Sequence, residues 1–173
     1  MNLIKKAVLF VSALFLFITT MAQTQKDVVD VAMGSKDHTT LVSAVKAADL
    51  VTILKDKGPF TLFAPTNNAF ANLPAGTLDN LLEPENKSKL AGILTYHVVA
   101  GNMSSKALLE AIKKGDGKAV LKTVAGGTLT ATVVDGKVKL TDGKGGMATV
   151  TATDLAATNG VIHVTDKVLL PKD

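Results

Sequence analysis

The sequence predicts one α+β domain, with short helices in its first half and a mostly antiparallel sheet in its second. Three observations carry this. Apolar residues recur at helical spacing between Asp27 and Lys55 and again as far as Ile112, and beyond residue 118 the period falls from 3.6 to 2. No repeat, low-complexity tract or Pro-rich linker interrupts the chain after residue 22. Helices first and strands second is the order of an α+β fold rather than of alternating βαβ units.

The elements follow in order. Val28, Val31 and Ala32, then Leu41, Ala44, Val45 and Ala48, then Leu50, Ile53 and Leu54 mark three short helices. Gly34 and Ser35 break the first, Asp37 or Thr39 is placed to cap the second, and Lys57-Gly58-Pro59 stops the last. Phe60 to Ala64 reads as a strand ended by Pro65, after which Thr66 or Asn67 caps a helical turn running through Phe70 to Leu73. Helices are expected at about 77–82 and 85–94, Tyr96-His97-Val98-Val99 is expected to be extended, and Ser104 or Ser105 caps an amphipathic helix carrying Leu108, Leu109 and Ile112. Gly115-Asp116-Gly117 ends it. Strands follow at 119–124, 128–134, 137–141, 147–153 and 161–170, and Asp135-Gly136 has the residue types that a two-residue hairpin turn demands.

Lys5 and Lys6 precede an apolar run from Ala7 to Ile18, and Thr20-Met21-Ala22 supplies small residues for cleavage. This is the pattern of a signal peptide, too short to span a bilayer, so residues 1–22 are expected to be removed after Ala22 and 23–173 to form the exported domain. Of 173 residues, 19 are basic and every one is Lys, against 15 acids; without Lys5 and Lys6 the net charge falls from +4 to +2. The basicity therefore says little about partners. The absence of Arg argues against base-specific DNA recognition, and the few aromatics left after residue 22 (Phe60, Phe63, Phe70 and Tyr96) argue against base-stacking surfaces. No Cys is present, which excludes disulfides, thiolate catalysis, Cys-ligated metals and lipid attachment through Cys.

His38, His97 and His163 form no local metal-ligand motif, and no Ser sits in a nucleophile elbow. The Gly-rich pieces at 115–117 and 143–146 read as turns rather than phosphate loops. Glu83 and Glu85 flank Pro84 at a helix junction, where acids act as dipole partners. Lys113, Lys114, Lys118 and Lys122 read as a solvated face rather than a polyanion site, and Asn86 and Asn102 lie in glycosylation sequons. Neither an enzyme nor a cofactor is expected.

Three segments are far more specific: GPFTLFAPTNNAF (58–70), ILTYHVVAG (93–101) and NGVIHVTDKVLLP (159–171). In order and spacing they resemble the fasciclin-like domain, with flanking agreement over 40–51 and 73–94, so that the resemblance runs from Asp27 to Pro171. It implies a wedge of about seven strands in two sheets packed with a bundle of short helices. It also implies a non-catalytic adhesion module binding a cell-surface or matrix protein or polysaccharide. In animal members the Tyr-His pair is linked to integrin binding, which makes Tyr96 and His97 the candidate contact residues. Their aliphatic neighbours argue for burial, and the expectation is an internal His97 beside a partly exposed Tyr96. Phe63, Pro65, Thr66, Asn67, Phe70, Asn159, Gly160 and His163 are read as structural motif residues, with His163 a hydrogen-bonded core histidine. Asn68 replaces a common acid and Asp49 a common Gly of the family pattern. The chain fits a bacterial protein released to the periplasm or exterior, without a membrane anchor after cleavage and monomeric. A periplasmic carrier or sensor of a small hydrophobic ligand is the alternative function.

Overall fold

The computed structural model describes residues 25–172. The expected signal peptide, 1–22, lies outside the described residues. Seven α-helices and seven strands are described: α1 (Val28–Met33), α2 (Thr39–Ala47), α3 (Val51–Leu54), β1 (Phe60–Pro65), α4 (Asn67–Ala71), α5 (Thr77–Leu82), α6 (Lys87–Tyr96), β2 (Val98–Ala100), α7 (Ser105–Lys114), β3 (Lys118–Lys122), β4 (Thr128–Val134), β5 (Lys137–Thr141), β6 (Met147–Ala157) and β7 (Gly160–Thr165). Apart from β1 and β2, which lie among the helices, the helices come first and the strands second, as the change of period requires.

The strands form one continuous sheet in the order β2-β1-β7-β6-β5-β4-β3. Its two halves, the expected two sheets, share β6, which pairs with β5 through Met147–Thr149 and with β7 through its later residues. All pairings are antiparallel except β1 with β7, where Phe60 faces Gly160 and Pro65 faces Thr165. An isolated bridge, Val99 to Thr123, and a hydrogen bond from the Val124 amide to the Val98 carbonyl join the outer strands, so the sheet curls round until its ends meet.

Two hydrophobic clusters fill the domain. One lies among α1, α2, α6 and the inner side of β1 and β7, with Leu41, Leu62, Leu90 and Ile162. The other lies between α7 and the curled β3–β6 half, with Leu108, Leu129, Leu140 and Phe63. Strand β1 separates them, Leu62 and Ala64 facing one cluster and Phe63 the other, which is why its apolar residues are continuous rather than alternating.

Local chemistry sets the boundaries. Thr66 accepts from the Ala69 amide and starts α4, and Ser104 accepts from the Ala107 amide and starts α7. The second helix differs from expectation. Neither Asp37 nor Thr39 caps α2; Asn67 reaches across from α4, its Oδ1 accepting from the Thr40 amide at 2.9 Å. Tyr96 ends α6 rather than starting an extended segment, because the helix continues until the His97 amide bonds the Leu94 carbonyl. At the β4–β5 hairpin Asp135 (φ 53) and Gly136 (φ 74) both take the left-handed conformation. Asp49, where the family pattern favours Gly, likewise sits at φ 55.

Candidate functional site

The three motif segments meet at Phe63. Its amide donates to the His97 carbonyl at 2.9 Å, and its ring stacks on His163 with centroids 5.6 Å apart and planes 27° from parallel. Phe63 and His163 are fully buried. The Nε2 of His163 faces the Met103 carbonyl at 2.7 Å and Nδ1 accepts from the Asp154 amide at 3.3 Å. A carbonyl only accepts and an amide only donates, so Nε2 donates and Nδ1 accepts.

His97 is the mirror case. Nδ1 lies 2.8 Å from the Ile93 carbonyl, and Nε2 accepts from the Leu169 amide at 2.9 Å. Its neutral tautomer therefore carries the proton on Nδ1 and ties the end of α6 to the C-terminal segment. Burial drives its pKa down to about 4, partly countered by the Ile93 carbonyl and the Asp142 carboxylate.

Tyr96 is also inside. Only 1% of it is exposed, against the expected partial exposure. Its hydroxyl donates to the Thr128 carbonyl at 2.6 Å and accepts from the Gly143 amide at 2.8 Å, so both ends of the polar handle are used within the fold. Burial raises its pKa, the Gly143 hydrogen bond opposes the rise, and the Asp142 carboxylate adds to it. Gly127 packs against the ring: a Cβ there would stand 2.7 Å from Tyr96 Cε2.

The other motif residues brace loops. Asn159 Oδ1 accepts from the Val28 amide at 2.9 Å, while Nδ2 donates to the Leu54 carbonyl at 2.7 Å and the Asp56 carbonyl at 3.0 Å. Asn67 Nδ2 donates to the Lys36 carbonyl at 2.9 Å. Gly160 opens β7, and only Gly fits there, since a Cβ would lie 2.0 Å from the Phe60 carbonyl oxygen. Pro65 closes β1 and Phe70 is buried in the first cluster. Of the two sequons, Asn86 is half-buried with its amide donating to the Asn80 carbonyl, whereas Asn102 is exposed.

His38, outside the three shared motifs, is also buried. Its Nδ1 meets Ser35 Oγ at 2.8 Å, while the buried Nε2 makes no hydrogen bond of ordinary geometry among the described residues and has the Ala64 carbonyl as its nearest acceptor. Burial lowers its pKa, and the neighbouring Ala64 carbonyl and Asp37 favour the charged ring. The ring lines a cavity of about 410 Å³ whose other walls include Val31, Ala64, Leu155 and Ile162. Among the described residues no group of His, Asp or Glu is placed to hold a metal ion, and no helix is long and apolar enough to cross a membrane.

The fasciclin domain model matches residues 36–171, and the chain belongs to that family. It is 52% identical over 144 residues to the protein sll1483 of Synechocystis sp., covering 83% of this chain and 73% of that one. It is 33% identical over 153 residues to the immunogenic protein MPT70 of Mycobacterium tuberculosis, covering 86% and 70%. With human periostin it shares 29% over 161 residues, which is 93% of this chain and 18% of that one. The fold is similar to that of a FAS1 domain pair from the insect cell adhesion molecule Fasciclin I, with a TM-score of 0.54 and 24% identity over 81% of this chain and 43% of that structure.

Proposed function

We propose that the protein is an exported, non-catalytic interaction domain that holds cell-surface or matrix material. One observation carries this reading. The polar side chains of the three shared motifs are spent on partners inside the fold: both nitrogens of His97 and His163, the Tyr96 hydroxyl and the Asn159 amide. They specify a scaffold, and binding falls to the exposed surface. Tyr96 and His97 then serve a partner by holding α6, the β5–β6 turn and the C-terminal segment in place. The likeness to a domain pair from a cell adhesion molecule supports the same reading. A strain lacking the gene should attach less well to surfaces and form less biofilm; unchanged attachment across several surfaces would overturn the reading. Export is read from the Lys5-Lys6 pair, the apolar run and Ala22. Intact-mass and N-terminal analysis of secreted material should start at Gln23, and gel filtration should show a monomer.

The His38 cavity favours a second reading, carriage of a small hydrophobic molecule with one polar group. A buried imidazole nitrogen without a partner costs stability unless something bonds it. Protein purified from its host would then bring a lipid or pigment visible by absorbance or mass spectrometry. Clean protein, with an empty mass spectrum after denaturation, would remove this reading.

A further inference from the structure

The β3–β6 half of the sheet has one buried face and one bare one. Ala119, Leu121, Leu129, Ala131, Val138, Leu140, Ala148 and Val150 point inward beneath α7, and the alternate residues point out, with no helix of the described residues over them. Register brings those outward residues into rows. Lys118 stands opposite Thr132, Thr132 opposite Lys139 and Lys139 opposite Thr149, so one row reads Lys-Thr-Lys-Thr across four strands. The adjacent row is Val120, Thr130, Thr141 and Met147. Lys122 beside Thr128 and Lys137 beside Val134 extend the face at its two ends.

Four lysines thus share one face whose residues on β3–β6 include no carboxylate, with Asp166 at the edge beside Thr149. The nearby acids sit in turns at its margins: Asp116, Asp135 and Asp142, the last with its oxygens accepting from the Lys144, Gly146 and Leu170 amides, while Asp166 caps the Thr149 amide. Lys118, Lys122, Lys137 and Lys139 make no ion pair with any described residue. The sequence alone groups Lys118 and Lys122 with Lys113 and Lys114 as one basic stretch; folding instead joins them to Lys137 and Lys139, two strands away.

We propose that this face binds a linear polyanionic polysaccharide, a polymer bearing carboxylate or sulfate groups among hydroxyls. This rests on the interaction-domain reading and names its partner class. Cations two strands apart, about 9–10 Å at the usual spacing, meet anionic groups repeated along a chain, and the Thr hydroxyls between them both donate and accept. The face has no aromatic for stacking bases and the chain no Arg for reading them, which disfavours nucleic acid.

The test uses protein secreted from cells expressing the full chain, with heparin and alginate as probes and neutral dextran and duplex DNA as comparisons. Wild type should bind both polyanionic polysaccharides more tightly than DNA, ignore dextran, and release them as salt rises. Replacing Lys118, Lys122, Lys137 and Lys139 together by Gln should cost about tenfold or more in affinity, and replacing them by Arg should retain binding. The same charge removed elsewhere, at Lys46, Lys57, Lys106 and Lys167, should cost no more than about threefold. Melting curves establish that each variant is folded. No binding by wild type, equal losses from the two Gln sets, or tighter binding of DNA would each overturn the proposal. If cells need the gene for attachment yet attach normally with the Gln variant on the face, the face is wrong and the interaction reading stands. If deletion leaves attachment unchanged, that reading falls, and the purified protein still decides this face.

Discussion

His97 folds as a neutral ring because its two partners, the Ile93 carbonyl and the Leu169 amide, admit only one proton between them. Protonation would aim a second N–H at the Leu169 N–H. A histidine whose folded pKa is depressed gives stability that is complete above its unfolded value of about 6.5 and is lost as pH falls toward the folded value of about 4. Over that window His97 should account for about 3 kcal/mol, and burial of His38 acts in the same direction. Urea unfolding at pH 7, 5.5 and 4.5 should therefore show a steep loss that flattens in His97→Gln. Tyr96→Phe keeps the ring and strands the Thr128 carbonyl and the Gly143 amide, so it should cost about 1–3 kcal/mol, read as a lowered melting midpoint. The burial of His97 was legible from its aliphatic neighbours. That of the Tyr96 hydroxyl was not, because its partners lie 32 and 47 residues along the chain.

At the scale of elements, the motif asparagines work as clamps between segments far apart in sequence. Asn67 sits in the first turn of α4 yet caps α2, and Asn159 in the β6–β7 turn holds the first turn of α1 and the exit of α3. A polar residue after a strand is readable as a local cap, which Thr66 is, but a remote cap leaves no periodic trace. The same reason explains two strand boundaries. β6 runs to Ala157, past the expected 153, because register shifts and a left-handed Asp154 break the alternation without ending the pairing. β7 stops at Thr165, short of the expected 170: the Asp166 amide still reaches the Thr149 carbonyl, but the Thr149 amide turns to the Asp166 carboxylate, and further on the Leu169 and Leu170 amides go to the His97 and Asp142 side chains. Asn159→Asp tests the clamp directly. It keeps the shape and the acceptor for Val28, but sets an oxygen against the Leu54 and Asp56 carbonyls. At pH 7 it should cost about 2 kcal/mol or more relative to wild type. The deficit should shrink at pH 4.5, where protonation restores one donor.

At the scale of the whole molecule, the change from helices to strands after residue 118 and the Asp135-Gly136 hairpin were legible, since each is written in local sequence. The parallel pairing of β1 with β7 was not, since it joins residues about 100 positions apart and no turn signal announces it. That pairing nevertheless decides the architecture. β1 lies between β2 and β7, β7 lies between β1 and β6, and every residue of β7 is buried. Closure of the sheet through Val99 and Thr123, by contrast, depends on a single bridge and one further hydrogen bond. Cooperative opening should start where least is buried and paired. Native-state hydrogen exchange should therefore find the slowest amides in β1 and β7, around Leu62, Phe63, Ile162 and His163, with protection near the global unfolding free energy. The Val124 amide at the closure should exchange at least about tenfold faster, through local opening. Equal protection at the two places would mean that the curled sheet opens only as a unit, with its closing bridge as firmly held as its centre.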